Sequence, residues 1–250
     1  TADNGALSST PYQFVNIETA DLVNQSLTGT DANSETFTIT TADNAVNVNA
    51  IDLVQVSTIN AGTSASDEII VTGSAVNAAL TSSDNGLTAS NIAFSNINDV
   101  ALNNGELTGT NLDNETFTIG ADANEVNVNA IDFTQVSAIN AGTSAEDAIV
   151  GVGTAVNAAL TSSDNELTAS NIEFSNINDV ALNNGELTGT NVDNETFTID
   201  ADAHEVNVNA IDFTQVSTIN AGTSANDAII TTTLVDAALV VVVVVVGVVV

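Results

Sequence analysis

Apolar residues recur two and three apart through much of the chain. Ile131, Phe133, Val136 and Ile139 form one such series, and Phe174, Ile177 and Val180 another. Thr116-Phe-Thr-Ile119 and Val126-Asn-Val-Asn129 alternate strictly at period two, as a strand with one buried face should. Asn, Gly, Ser and Thr between the apolar positions make poor helix, whereas Ile, Val, Thr and Phe suit a pleated, half-buried surface. The pattern predicts short strands at Glu115–Ile119, Glu125–Ile131, Phe133–Ile139, Ala148–Val152, Glu166–Ile172 and Phe174–Leu182. Corners are predicted at Asn140-Ala-Gly142, Ser163-Asp-Asn165, Asn183-Asn-Gly185 and Thr188-Gly-Thr190, all turn chemistry. A short helical turn could sit only at Thr154–Leu160.

The same pattern returns every 80 residues. The stretch from Ile51 is spelled again from Ile131 and from Ile211, and over twenty residues the last two copies differ only at Ala138/Thr218, Glu146/Asn226 and Val150/Ile230. From Leu80 to Asn111 and from Leu160 to Asn191, 30 of 32 residues agree. A weaker half-period of about 40 residues lies inside each copy, since Phe94, Phe133 and Phe174 follow one another by 39 and 41. Such periods belong to stacked architectures. The expected fold is therefore all-β: a parallel β-solenoid (β-helix) of 80-residue repeats with a 40-residue sub-repeat, read as two coils of about 20 residues in each sub-repeat. Four coils at about 4.8 Å each predict roughly 19 Å between copies. The alternative is a string of tandem β-sandwich domains. Against it stand the internal half-repeat, the lack of Trp, and the absence of polar linkers.

The array is expected to run continuously over 1–239, as a partial copy at 1–20 and copies at 21–100, 101–180 and 181–239. Residues 240–250 are Val apart from Gly247. Eleven residues are too few for a membrane helix, which needs about 20, so no membrane span is expected. The run reads as a stand-in for residues of unidentified side chain, or as an apolar strand given to a neighbouring subunit. No leader peptide is visible at Thr1, which suggests a mature chain or an excised segment.

Charge narrows the function. The chain has 32 Asp and Glu and no Lys or Arg, a formal charge of −32. Nucleic acid and anionic membranes are therefore unsuitable partners. Neutralisation must come from cations, protons or a basic partner. There is no Cys, so disulfides and Cys-zinc chemistry are closed. His204 is the only His, and Asn44 and Asn124 stand at its place in the other copies. No catalytic constellation can be assembled from one variable His without Lys, Arg or Cys, and no enzyme is expected. Asp113-Asn-Glu115, Glu146-Asp147 and Asp164-Asn-Glu166 are oxygen-rich turns of the kind calcium can use, but no dedicated calcium loop is spelled. Calcium is thus a possible cofactor with no assigned metal ligands. The files Asp52, Asp132, Asp212 and Asp67, Asp147, Asp227 are expected to repel within themselves, raising carboxyl pKa values. Asn24, Asn114 and Asn194 fit the glycosylation pattern, leaving glycans as possible partners. Thr pairs at Thr36/Thr38, Thr116/Thr118 and Thr196/Thr198 come once per copy, too sparsely for an ice-binding face.

The turn Phe-x-[Asn/Gln]-[Ile/Val]-x-x-[Ile/Val], followed by an Asn/Gly/Thr-rich corner and an Asp-led strand, resembles the repeat regions of long bacterial cell-surface proteins. These are β-strand-repeat adhesins and extracellular fibre proteins, broadly like filamentous-haemagglutinin stalks. The resemblance implies secretion and a structural or adhesive role. The expected function is a structural subunit of an extracellular filament, self-assembling head to tail near Leu239 and Thr1; the alternative is the stalk of a surface adhesin.

Overall fold

The computed structural model describes residues 7–9, 12–14, 17–120, 122–199, 202 and 204–232. The poly-Val segment and the two ends proposed to meet, Thr1 and Leu239, lie outside them. The described residues are all β, without a helix. In chain order the strands are β1 (Leu7–Ser9), β2 (Tyr12–Phe14), β3 (Thr19–Thr28), β4 (Thr36–Ile39), β5 (Val46–Val48), β6 (Ile51–Asn60), β7 (Glu68–Val71), β8 (Ala78–Leu80), β9 (Leu87–Ala89), β10 (Ile92–Ser95) and β11 (Asp99–Thr108). They continue as β12 (Thr116–Ile119), β13 (Val126–Val128), β14 (Ile131–Asn140), β15 (Ala148–Gly151), β16 (Ala158–Leu160), β17 (Glu166–Ala169), β18 (Ile172–Ser175), β19 (Asp179–Thr188), β20 (Thr196–Ile199), β21 (Val206–Val208), β22 (Ile211–Asn220) and β23 (Ala228–Thr231). They fall into two compact units, one within 1–110 and 126–138, the other within 111–125 and 139–250.

Each unit is a parallel β-solenoid. In the first, one ladder runs β3–β6–β5–β4–β7–β11–β14–β13, using the leading halves of the long strands. A second ladder uses their trailing halves and runs β3–β6–β10–β9–β8–β11. The second unit repeats the scheme: β12–β15–β19–β22–β21–β20–β23 in one ladder and β17–β16–β19–β22 in the other, with β18 beside β17. Contacts from coil to coil are parallel, as between Thr36 and Glu68 or Glu68 and Asp99. Each ladder also contains an antiparallel meander of three strands, β4–β5–β6 in one and β8–β9–β10 in the other.

The meanders correct the coil length. Axial neighbours such as Glu35 and Asp67 are 32 residues apart, not about 20, because each reversal consumes chain without completing a coil. They also add strands to each ladder. From β6 to β14 the first unit advances through β5, β4, β7 and β11, five strand spacings or roughly 24 Å, where four coils and 19 Å were expected. The half-period acquires a meaning here. Phe37 of β4 in one ladder packs edge-on against Phe94 of β10 in the other, with ring centroids 6.2 Å apart. Successive half-repeats thus place the same meander alternately in the two ladders, and the core lies between them. Thr154–Leu160 holds no helical turn; Val156, Ala158 and Leu160 are all buried, so the period is two, and the segment ends in β16.

Left-handed corners explain the wealth of Asn. The Asn or Gln of the Phe-x-[Asn/Gln] turn has positive φ at Gln55, Asn96, Gln135, Asn176 and Gln215. Asn103-Asn104 and Asn183-Asn184 do the same inside β11 and β19, so the predicted corner at Asn183 is a bend within a long strand. Asn tolerates this region better than other residues with a Cβ. The predicted strand Glu125–Ile131 is broken by Asn129 and Ala130, φ 50° and 59°, where the chain reverses. Likewise Ser170-Asn171, φ 47° and 65°, splits Glu166–Ile172. Ala130 is exposed and has no side-chain reason to be left-handed. Ala130→Gly should therefore stabilise by roughly 0.5–1 kcal/mol, after allowing for the greater freedom of the unfolded chain. A denaturant midpoint that falls instead would refute this.

Candidate functional site

Two of the three oxygen-rich turns converge on one corner. In the second unit the Asn114 side-chain amide donates to Glu146 Oε2 at 3.1 Å, and the Glu115 backbone N–H donates to Asp147 Oδ1 at 2.8 Å. Asp113, Asn114 and Glu146 are exposed, whereas Glu115 and Asp147 are buried. The third turn, Asp164-Asn-Glu166, lies elsewhere and is structural. Asn165 there is left-handed, and its side-chain amide donates to the carbonyls of Ile177 and Ala210. Its own carbonyl accepts from the Ile177 N–H at 3.2 Å. Asn44 and Asn85 clasp Val56 and Ile97 the same way.

His204 takes that structural place in the third copy. Its Nδ1 lies 2.9 Å from the Val216 carbonyl oxygen, and its backbone carbonyl accepts from Val216 N–H. A carbonyl can only accept, so Nδ1 carries a proton and donates. The ring does the work of Asn44, and among the described residues no acidic or nucleophilic partner is joined to it.

The acidic corner occurs three times. Glu35 with Asp67, Glu115 with Asp147 and Glu195 with Asp227 are equivalent pairs, each joined by the Glu N–H donating to the Asp Oδ1 at 2.8–3.0 Å. The following strand closes the corner, since Glu68 N–H donates to the Glu35 carbonyl, Ala148 N–H to that of Glu115 and Ala228 N–H to that of Glu195. In the first unit Thr30 grips the Glu35 carboxylate with its N–H at 3.2 Å and its hydroxyl at 2.6 Å. Glu35, Asp67, Glu115, Asp147 and Glu195 are buried, with no Lys or Arg in the sequence.

The exposed files differ from expectation. Asp52 and Asp132 are five strands apart, too far to repel strongly. The close pairs are Asp179 with Asp212, aligned on β19 and β22, and Asp99 with Asp132. Asp99 is held above its ordinary carboxyl range by partial burial and then by the Asp132 charge. Asp179 is raised by burial, then by Asp212 and Glu146. A raised folded pKa means that stability is full in acid and falls as pH climbs through the folded value. Asp179→Asn should therefore stabilise at alkaline pH and change little below about pH 4. Equal gains in melting temperature at both pH values would count against the repulsion.

Among the described residues no three metal-ligating side chains converge to hold an ion, and no helix is long and apolar enough to cross a membrane. The best-formed hollows measure about 350 and 240 Å³; Ser26, Thr58, Asn60 and Phe94 line the first, Asn157, Thr168 and Asn171 the second, and neither contains a titratable group. Asn24, Asn114 and Asn194 are all exposed. No known protein family, curated protein or solved structure matches the chain.

Proposed function

We propose that the chain is a structural subunit of an extracellular filament or surface fibre, built by stacking coil upon coil. The observation that carries this reading is the state of β23. Ile69 and Ile149 are buried beneath a following coil, whose β11 and β19 strands pair with β7 and β15. Ile229 and Ile230, in the equivalent strand, are 41% and 52% exposed, and among the described residues β23 pairs only with β20. Another coil of the same kind, from a second copy or from more of the same chain, would cover these side chains and extend the ladder by strand addition. Such a head-to-tail contact does not close on itself and produces fibres. The surface suits an exposed fibre, with Asn, Ser and Thr outward along the coils and strong net negative charge for solubility.

Electron microscopy of the purified chain over a concentration series is the test. Unbranched filaments whose axial repeat matches a whole number of strand spacings are expected. A monomer that persists at high concentration overturns self-assembly. Rods ending in a distinct tip, obtained from a longer natural chain, would point instead to an adhesin stalk.

A further inference from the structure

We infer that the buried pair Glu35–Asp67 holds one proton at neutral pH, carried by Asp67, and that it acts as an acid-set latch between successive coils. The argument begins with bookkeeping of hydrogen bonds. Asp67 Oδ1 accepts the Glu35 N–H, but Asp67 Oδ2 is buried with no partner. Asp147 Oδ2 and Glu195 Oε2 are in the same state. A buried, ionised carboxylate oxygen facing neither donor nor cation is strongly unfavourable. Two neighbouring buried carboxylates cannot readily both be ionised. One proton taken from solvent removes both penalties, because it neutralises one partner and turns its orphaned oxygen into a donor towards the other carboxylate.

No other charge nearby offers an alternative. The titratable groups on the packed elements are Asp31, Glu68 and Asp99 around the first pair, Asp113, Glu146 and Asp179 around the second, and Asp193 by the third. All are acids. A divalent ion fits the corners poorly, for calcium takes six to eight oxygens and among the described residues no third carboxylate joins a pair.

The details agree on which partner carries the proton. Asp67 receives no bond from Ser64, which turns to Ser34. It is held above the usual carboxyl range, by burial first, against the Glu35 N–H, and with the Glu35 charge and carboxyl adding to the rise. At the third pair burial alone would raise Asp227, but the Ser224 hydroxyl at 2.5 Å and the Glu195 N–H hold it below that range. There the oxygen without a partner is on Glu195. The proton thus sits on Asp67 in the first corner.

The linkage sign follows. The folded Glu35–Asp67 pair binds a proton that the unfolded carboxyls, with pKa near 4, have released at neutral pH, so stability is greatest in mild acid and falls as pH rises. That one proton should change the folding constant about tenfold per pH unit in that window. The test compares the full chain with D67N, where an amide N–H replaces the proton. Denaturant midpoints are measured between about pH 5 and 8, in chelator and in added calcium, together with the infrared carbonyl stretch of un-ionised carboxyl groups. The wild type should show that stretch at neutral pH and lose stability as pH rises, regardless of chelator; the variant should lose the stretch and most of the slope. If the variant does not fold, the wild-type spectrum decides alone. Absence of un-ionised carboxyl at neutral pH, or stability that follows calcium instead of protons, would overturn the latch.

Discussion

Phe117→Ala should destabilise the protein by about 3–5 kcal/mol. Phe117 is fully buried, and its ring meets Phe174 edge-on at 6.3 Å and 67°. It belongs to β12 in one ladder of the second unit, whereas Phe174 belongs to β18 beside the other. The core of that unit holds Phe197 and Phe213 besides and is otherwise made of shorter aliphatic side chains, and there is no Trp or Met to fill a vacated space. Truncation therefore leaves a cavity that two hydrogen-bonded ladders cannot collapse into. Leu112→Ala is the matched control. Leu112 is 89% exposed, and its loss should change stability by less than about 0.5 kcal/mol. Urea titration at constant m separates the two. A Phe117→Ala loss below about 1 kcal/mol would mean that the facing ladders are not held by their aromatic contacts.

The strands were legible in the sequence wherever alternation was uninterrupted. Thr116–Ile119 and Ala148–Gly151 fall within a residue of the segments read from period two. What was hidden is the direction of the chain after a corner. Asn129 advertises a left-handed turn, but Ala130 beside it does not, and the reversal needs both. A reading by side-chain preference therefore merges β13 into the following strand, misses the meander and shortens the coil. The acidic corners were hidden for another reason. Asp147 and Glu146 are neighbours of the same class, yet the first is buried and the second exposed. A signal did exist in the comparison of copies. Glu35, Glu115, Glu195 and Asp67, Asp147, Asp227 never change, while Glu146 alternates with Ser66 and Asn226. Exposed acids can drift between copies; buried ones that bond across a coil cannot.

Gly185→Ala should cost about 3 kcal/mol or more, far beyond the loss of glycine's flexibility. An added Cβ would overlap the Val156 carbonyl oxygen outright, lying 2.5 Å from its carbon and 3.1 Å from the Leu182 carbonyl oxygen. None of these atoms is free to retreat. The Val156 N–H donates to the Leu182 carbonyl at 3.0 Å, which fixes both ends of the obstruction. Glu186 N–H donates to Asn157 Oδ1 at 2.9 Å, and the Ser217 hydroxyl donates to the Gly185 carbonyl at 2.9 Å from the next coil. The coil containing Gly185 is thus held on both sides, and relief of the overlap must break one of these bonds. Gly105 meets Val76 in the same way in the first unit, so Gly105→Ala should behave alike. Gly153→Ala supplies the contrast. Gly153 has φ +76° but open space around a Cβ, so alanine there incurs only left-handed strain, about 1–2 kcal/mol. The expected order of loss is Gly185→Ala above Gly153→Ala, measured by denaturant unfolding in the same buffer. The reverse order would show that backbone conformation, and not the close approach of successive coils, is what these glycines serve.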